Sequence, residues 1–263
     1  MTPDRYYVIG NPIAHSKSPK IHMQFASKYS QNILYERIEV LEDNLEETLK
    51  LIKDDYSVKG LSITLPLKEK VFKFCKSVDK LAFEAKSVSN IAINETREFM
   101  GFNLDGLGLL KDIKRNNINT KNKSILILGA GGAAKGIVGA LMQEKPQNIC
   151  IANRSLNKAV NLKNYFLTIY PKTNIIATDI NKIENKYDLV INATSASISC
   201  TSLPLKKDFF NKKAFGYDIM YMNKPTVFNQ WCTKNHIQNV DGKGMLLEIS
   251  KLAFFMWRGI SPE

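Results

Sequence analysis

Residues 124–134 read SILILGAGGAA, and this stretch decides the fold of the second half of the chain. Its first five residues are an almost continuous apolar run, as is typical of a strand buried on both faces of a parallel sheet. The rest fits G-x-G-x-x-[G/A] directly after that strand and opens a helix, which is the context this motif requires. Gly129 permits the tight turn, Gly131 lets the backbone approach a pyrophosphate, and Ala134 allows close packing of helix on strand. The stretch predicts a Rossmann-type dinucleotide site with free helix N-terminal amides for the phosphates, at Gly129, Ala130, Gly131, Gly132 and Ala133.

Downstream of this motif, strand and helix patterns alternate. Apolar strands are predicted at residues 149–152, 174–177, 187–191 and 214–218. This alternation predicts a doubly wound parallel sheet. A last apolar helix, residues 245–257, is expected to pack back onto the first part of the chain.

Upstream of the motif, the patterns indicate a second α/β layer. Strands are predicted at 6–10, 34–40 and 60–65, with a short pair at 90–93 and 99–102. A length of 263 residues suits two domains. We therefore expect an α/β protein with two domains, a first α/β domain and a Rossmann-type dinucleotide-binding domain. The predicted bounds are 1–103, completed by a C-terminal helix at 243–263, and 104–242, with the polar stretch 115–123 (RNNINTKNK) as the candidate linker.

The end of the strand at 149–152 indicates which dinucleotide binds. An NAD site usually carries an acidic residue there, which holds the ribose 2′-hydroxyl. This chain has Asn153, Arg154 and Ser155 instead, and Lys158 follows one helical turn later. A guanidinium can hold a 2′-phosphate with two hydrogen bonds, whereas a carboxylate would repel it. The sequence therefore favours NADP over NAD, the alternative being a structural glycine turn followed by solvated charges.

The charge and composition favour a globular protein that binds an anionic small molecule. The 44% hydrophobic content is ordinary for a globular chain, and no apolar run is long enough to span a bilayer. The net charge of +12 comes from lysines spread along the chain, so nucleic-acid binding is a distant alternative. A phosphorylated cofactor and an acidic substrate would account for part of this charge.

The N-terminal residues and the cysteines indicate a reducing compartment. The first residues lack the basic-then-apolar pattern of a secretion signal, so the expected location is the cytoplasm. No C-x-x-C pair or histidine cluster accompanies the cysteines, and no metal site is expected. We interpret all of them as structural thiols: Cys75, Cys150, Cys200 and Cys232.

Several short motifs are distributed along the chain in a fixed order. They are GNPIAHSKSP at 10–19, TLPLK at 64–68, Asn90, NLDG at 103–106, GAGGAAKG at 129–136, NRS at 153–155, NATS at 192–195 and DGKGML at 241–246. In this order they resemble the motifs of the shikimate dehydrogenase family and cover nearly the whole chain. The resemblance implies a reversible, NADP-linked reduction of 3-dehydroshikimate to shikimate in aromatic amino-acid biosynthesis. It implies a small-molecule substrate. From the spread of charge and the length of the apolar runs we expect no nucleic-acid or membrane partner, and we expect a monomer or homodimer.

The resemblance also implies roles for individual residues. Ser16 and Ser18 would bind the substrate carboxylate with help from Tyr221. Thr64, Asn90 and Asp105 would hold ring hydroxyls, and Lys68 with Asp105 would form the catalytic pair. The nicotinamide side of the cofactor would lie against Asn192, Thr194, Met220, Gly242 and Met245, where a methionine neighbouring Met220 is an alternative.

The chemistry of a lysine beside a carboxylate supports this assignment independently. Hydride addition to a ketone leaves a developing alkoxide, which needs a proton and a positive group. Lys68 follows the turn at Pro66, so it is expected at the carboxyl end of a strand, where α/β sheets bind ligands. His15 and His22 have no proton-transfer role in the motif, and we expect them to be structural.

The chain departs from the family pattern at four positions. Ser62 stands where the family has Asn, Ile91 and Leu104 where it has Thr, and Ile249 where it has a substrate-binding Gln. Glu248 is adjacent, but it lies about 100° around the helix and is not an obvious replacement. Such losses should weaken shikimate binding roughly tenfold to a hundredfold. A preference for quinate or a related ring acid, and a non-catalytic NADP-binding relative, remain alternative hypotheses.

Overall fold

The chain forms two compact units. The structure, a computed structural model, describes residues 2–194, 196–197 and 203–263, so Ser195 and Cys200 lie outside the described residues. One unit runs to Gly108 and includes Leu246–Glu263, and the other is Leu109–Met245. Both junctions lie inside helices that begin at Asp105 and Lys243, rather than at the predicted bounds 103/104 and 242/243. The polar stretch 115–123 lies within the second unit.

The first unit is built on a mixed six-stranded sheet in the order β2-β1-β3-β5-β6-β4. β1, β2 and β3 are parallel, whereas β5 runs antiparallel to both β3 and β6. The strands are β1 (Asp4–Gly10), β2 (Ile33–Glu39), β3 (Val58–Ile63), β4 (Ser77–Val78), β5 (Asn90–Ile93) and β6 (Phe99–Phe102). The helices are α1 (Ser18–Lys28), α2 (Leu45–Asp54), α3 (Lys68–Val71), α4 (Lys80–Ala85) and the start of α5 (Asp105–Arg115).

The alternation of side chains along β1 builds a core on each face of this sheet. Tyr7 and Ile9 pack into one cluster, which includes the buried face of α2. Tyr6 and Val8 point to the other face. There they meet Phe25 of α1 and the C-terminal helix through Phe254 and Trp257. Both faces of the sheet are therefore covered, which leaves its strand ends to carry polar groups.

The second unit is an all-parallel sheet in the order β12-β11-β10-β7-β8-β9. The α/β class and the Rossmann-type second sheet predicted from sequence are confirmed. Its strands are β7 (Ser124–Leu128), β8 (Asn148–Asn153), β9 (Ile175–Asp179), β10 (Tyr187–Asn192), β11 (Phe210–Asp218) and β12 (Gln238–Val240). Its helices are α6 (Gly132–Gln143), α7 (Leu156–Ile169), α8 (Val227–Lys234) and the start of α9 (Lys243–Arg258).

The strand order places the switch point of this sheet between β7 and β10. From β7 the chain winds outward through β8 and β9, and it then returns to β10 and winds the other way. In such sheets ligands bind outside the carboxyl ends of the strands at the switch point. Those ends carry Gly129, Asn153, Asn192 and Asp218. Among the described residues, no helix has both the length and the apolar character needed to cross a membrane.

Candidate active site

An ion pair between Lys68 and Asp105 lies at the centre of the first candidate site. Lys68 is the first residue of α3 and Asp105 the first of α5, and the Lys68 Nζ is 2.5 Å from Asp105 Oδ2. The side chains are 15% and 6% exposed, so little water competes with their contact. The carboxylate also lies in the first turn of a helix, where the helix dipole favours a negative charge. The pair presents an ammonium group, and thus a positive charge and a proton, at a fixed position.

Buried hydrogen bonds hold the turn that carries Asp105. The Asn103 side-chain oxygen accepts from the Asp105 amide at 3.2 Å, and its Nδ2 donates to the Ser87 carbonyl at 3.0 Å. The Asn103 amide donates to Asp79 Oδ1 at 3.1 Å, which also caps α4. Burial raises the pKa of Asp79, against the effect of these amides. The sequence identified Asn103 only as part of the NLDG motif, whereas the structure shows that its side chain holds the turn before Asp105.

The side chain of Asn90 is fully buried at the start of β5. Its Nδ2 donates to Ser62 Oγ at 3.0 Å, and its Oδ1 accepts from the Ser89 hydroxyl at 2.9 Å. Ser62 and Asn90 are directly opposite each other on β3 and β5, and Ser62 also accepts from the Tyr35 hydroxyl at 2.8 Å. Ser62, which replaces the Asn of the family pattern, is thus part of the hydrogen-bond network that holds the Asn90 amide. One amide hydrogen of Asn90 keeps no partner among the described residues.

Ser16 is buried in the turn before α1, and Ser18 is the buried first residue of that helix. The Ser18 amide contacts Ser16 Oγ at 3.4 Å. Arg37 holds this turn, since its Nε donates to the Ser16 carbonyl at 2.9 Å and its Nη2 donates to the same oxygen. Sequence analysis missed Arg37, whose only signal was a cation in the strand next to β1. Thr64 lies at the end of β3, where its carbonyl accepts from Leu67 in the turn that leads to Lys68.

The positions that depart from the family pattern differ in their surroundings. Ile91 is fully buried, and its carbonyl accepts from Trp257 Nε1 at 2.9 Å. Leu104 is buried beside Asp105. Ile249 is partly buried, whereas the neighbouring Glu248 is buried and pairs with Lys251 at 3.6 Å. Glu248 thus has a cationic partner on its own helix.

The glycine-rich turn after β7 fits a dinucleotide phosphate. Gly129 has φ +112°, and a Cβ there would lie 2.9 Å from the Ala193 carbonyl oxygen, so only glycine is unstrained. A Cβ on Gly131 would meet nothing within 4 Å, which leaves its backbone approachable from outside. Gly131 is the N-cap of α6, with no side chain bonded to the helix amides. Those amides are therefore free to donate hydrogen bonds to an anion. Gly132 and Ala133 form the first turn of α6, and Ala130 is buried in the turn.

The turn after β8 presents two exposed cations. Arg154 and Lys158 are both exposed, and the turn is shaped by Asn153, whose Nδ2 donates to the Ser155 carbonyl at 3.0 Å. Ser155 is the N-cap of α7. The turn therefore places an exposed guanidinium at the end of this strand, open to solvent.

A buried carboxylate, Asp218, organises the turn after β10. Its Oδ1 accepts from Asn192 Nδ2 and the Met220 amide, both at 3.0 Å, and its Oδ2 accepts from the Ser197 and Thr226 hydroxyls, both at 2.6 Å. Burial raises the pKa of Asp218, against the effect of these four donors. The signal for Asp218 was a charged residue directly after the apolar run 214–217 (AFGY), at the end of a predicted strand.

The other residues predicted for the nicotinamide side lie close to this carboxylate or on the segment after β12. The Asn192 side-chain oxygen accepts from the Thr194 hydroxyl at 2.7 Å. Gly242 donates to the Met220 carbonyl at 3.0 Å, and a Cβ there would collide with the Ile219 carbonyl. Met245 is buried. Tyr221 follows β11 in the second unit and is partly buried.

His22 is part of an aromatic cluster in the first unit. Its ring stacks on Tyr35, with centroids 4.3 Å apart and planes within 3°, and it also contacts Trp257 and Phe254. Complete burial lowers the pKa of His22 to about 3, so it is neutral near pH 7. Its Nδ1 has no partner among the described residues.

The thiols that the structure describes are free. Cys75 is partly buried, and Cys150 and Cys232 are buried, while Cys200 lies outside the described residues. Burial raises the pKa of both Cys75 and Cys232 to about 12, so neither is a thiolate near pH 7. The described residues contain no group of three or more His, Cys, Asp or Glu arranged to hold a metal ion.

Comparisons with known proteins agree along the whole chain. Residues 8–91 match the family model described as the shikimate dehydrogenase substrate binding domain, and residues 111–206 match the model described as shikimate / quinate 5-dehydrogenase. A shikimate dehydrogenase (NADP(+)) from Janthinobacterium sp. (strain Marseille) is 38% identical, over 99% of this chain and 94% of its own length.

Solved structures show the same architecture. An Ael1 enzyme from Pseudomonas putida is 34% identical with a TM-score of 0.88, over 99% of this chain and 95% of that one. Shikimate 5-dehydrogenase from Thermus thermophilus, solved in complex with NADP(H) and shikimate, is 27% identical with a TM-score of 0.86, over 98% of this chain and 95% of that one.

Proposed function

Because the chain belongs to the shikimate dehydrogenase family, we propose that it catalyses the NADP-dependent, reversible reduction of 3-dehydroshikimate to shikimate. This is an oxidoreductase reaction on a CH–OH group, in the biosynthesis of chorismate and the aromatic amino acids. In this assignment the first unit binds the substrate and the second binds NADP. The observation that carries the assignment is the buried Lys68–Asp105 pair.

Lys68 and Asp105 are the catalytic pair in this proposal. NADPH, when bound, supplies the hydride that reduces the ketone. The Lys68 ammonium stabilises the negative charge that develops on the ketone oxygen and donates the proton that completes the hydroxyl group. Asp105 holds the ammonium in place through the 2.5 Å contact and accepts a hydrogen bond from a substrate hydroxyl. In the oxidation direction, Lys68 accepts the proton back.

The remaining substrate contacts are proposed from the first unit and one residue of the second. Ser16 and Ser18 bind the carboxylate, in a turn that Arg37 holds and beside the N-terminus of α1. Tyr221 assists them. Thr64 and Asn90 hold ring hydroxyls, and Asn90 has one amide hydrogen left for this purpose.

The second unit is proposed to hold NADP along the carboxyl ends of its strands. The turn after β7 binds the pyrophosphate through main-chain amides, and Arg154 with Lys158 binds the 2′-phosphate beside Asn153 and Ser155. The nicotinamide side lies against Asn192, Thr194, Met220, Gly242 and Met245. The surroundings of the two glycines support this assignment. A side chain at Gly129 would clash with the neighbouring backbone, and the backbone of Gly131 is open to a ligand.

Quinate is the second candidate substrate. Leu104 and Ile249 replace polar residues of the family pattern with apolar ones, so the shikimate contacts of that pattern are incomplete, and the family model that matches residues 111–206 is described as shikimate / quinate 5-dehydrogenase. We also propose that the enzyme acts in the cytoplasm, as a monomer or homodimer and without a nucleic-acid partner. The free thiols support a reducing compartment.

The assignment is tested by following NADPH formation from NADP with shikimate and with quinate. Lys68→Ala should lower kcat about 10²- to 10⁴-fold, as loss of a general acid–base group does. Lys70→Ala is the control, because Lys70 lies on the same helix α3 but pairs with Glu42 at the surface. Turnover of quinate but not of shikimate would identify quinate as the substrate. NADP binding without turnover of either acid would favour the alternative that the protein is a non-catalytic NADP-binding relative.

A further inference from the structure

The hydroxyl of Ser89 connects two parts of the candidate active site. Ser89 immediately precedes β5 and is 3% exposed. It donates to Asn90 Oδ1 at 2.9 Å and accepts from the Leu104 amide at 2.8 Å. The Phe102 carbonyl lies at 3.4 Å, so the single hydroxyl proton is better placed on Asn90. The family motifs do not include this residue.

The first of these bonds sets the orientation of the Asn90 amide. An amide can rotate so that its oxygen and nitrogen exchange places, and only its hydrogen-bond partners decide between the two orientations. Ser89 donates to the oxygen while Ser62 accepts from the nitrogen. The remaining amide hydrogen of Asn90 is therefore a donor of fixed direction.

The second bond holds the turn that carries the catalytic carboxylate. The Leu104 amide directly precedes Asp105, whose Oδ2 contacts Lys68. Leu104 is buried, so its amide would lack a partner without Ser89. A change at Ser89 would therefore reach both the proposed substrate contact and the proposed catalytic pair.

We propose that Ser89 is a positioning residue of the dehydrogenase reaction, which couples the orientation of Asn90 to the placement of Asp105. The proposal rests on the proposed function. Ser89 touches neither substrate nor cofactor, and it acts through the two bonds of its hydroxyl group.

Ser87 provides a matched control in the same segment. It is fully buried, and its hydroxyl makes no hydrogen bond with any residue that the structure describes. Its main-chain carbonyl accepts from Asn103, and alanine keeps that carbonyl. Ser87→Ala and Ser89→Ala therefore remove the same atom from equally buried positions two residues apart. They differ in one respect, since only the hydroxyl of Ser89 makes hydrogen bonds to Asn90 and Leu104.

The experiment compares steady-state kinetics of the two variants in the full chain. Ser89→Ala should lower kcat/KM for shikimate about tenfold to a hundredfold, with a lower kcat and a higher KM for shikimate. The KM for NADP should stay within about twofold, because the bonds of Ser89 lie in the first unit. Ser87→Ala should leave all three constants within about twofold. A loss of folded protein alone would lower kcat without moving the KM for shikimate.

Equal kcat/KM for the two variants, with an active wild-type enzyme, would overturn the role of Ser89 and leave the proposed function standing. A wild-type enzyme inactive on both shikimate and quinate would overturn the proposed function, and the role of Ser89 with it. If Ser89→Ala does not fold, Ser89→Cys against Ser87→Cys decides instead. Both replacements add the same small volume, and a thiol is only a weak donor, so only Ser89→Cys should lose hydrogen bonds of the site and be impaired.

Discussion

The two units hold their candidate ligand-binding groups by different means. In the second unit, the turn after β7 presents main-chain amides, and the position of these amides follows from Gly129 and the start of α6. In the first unit, the Lys68–Asp105 pair depends on side chains such as Asn103, which come from separate strands and turns. A main-chain site tolerates most side-chain changes around it, whereas a side-chain site fails when one of its partners is lost. The two kinds of site should therefore respond separately to mutation.

The largest expected effect is on the side-chain site. Asp105→Asn keeps the shape of the carboxylate but removes its charge, so the Lys68 ammonium loses its partner. We expect kcat/KM for shikimate to fall on the order of 10³-fold, within the range for a general acid–base group. The dissociation constant of NADP, measured by fluorescence titration, should change less than about twofold.

Asp43→Asn is the control, since Asp43 is exposed in the same unit. A parallel loss of NADP affinity in Asp105→Asn would contradict the separate response of the two sites, because it would mean that they depend on each other.

The next effect concerns the cofactor. Arg154→Ala removes the cation proposed to bind the 2′-phosphate and should raise the KM for NADP about tenfold to a hundredfold, as expected for a charge-assisted hydrogen bond. The KM for NAD should stay unchanged, since NAD has no 2′-phosphate. Lys172→Ala, an exposed cation of the same unit, is the matched control. Equal effects on NADP and NAD would place Arg154 away from the 2′-phosphate.

The sequence predicted the second unit better than the first, and the reason is physical. A buried parallel strand followed by a glycine motif is a local pattern, and the resulting site follows from the local backbone. The contacts of Asp218 could not be predicted, because Asn192, Ser197 and Thr226 converge on it only through the strand order. Its position directly after the apolar run 214–217 was the available signal.

In the first unit the sequence provided candidate functional residues but not the contacts that hold them. Ser62 was noted only as a departure, yet the register of β3 and β5 places it opposite Asn90. Register between strands that are distant in the chain is set by tertiary packing. The contact between Arg37 and the Ser16 carbonyl likewise depends on how β2 lies beside the turn before α1.

The buried His22 should make the stability of the first unit depend on pH. Since its folded pKa of about 3 lies below the ordinary 6.5, the unfolded chain binds a proton that the folded chain does not. The stability of the first unit should therefore be complete above pH 6.5 and fall as the pH decreases toward 3. Between pH 7 and pH 5 this loss is about 2 kcal/mol.

His22→Leu should remove most of this pH dependence. Denaturant unfolding can be followed in a Trp231→Phe background, because Trp257 then reports from the first unit alone. Trp257 contacts the His22 ring and is the remaining tryptophan of the chain. An unfolding free energy of the parent that does not fall between pH 7 and pH 5 would contradict the lowered pKa of His22.

The smallest expected effect tests whether the apolar replacements weaken substrate binding. Ile249 lies partly buried on α9 at the position where the family pattern has a substrate-binding Gln. If a lost hydrogen bond to a ring hydroxyl is the cause, Ile249→Gln should lower the KM for shikimate about tenfold, equivalent to about 1.4 kcal/mol. The kcat and the KM for NADP should change little, because the added amide is expected to contact only the substrate. Ile249→Leu controls for the change in shape. An unchanged or higher KM for shikimate, together with a lower KM for quinate, would mean instead that this part of the side-chain site accepts a different ring acid.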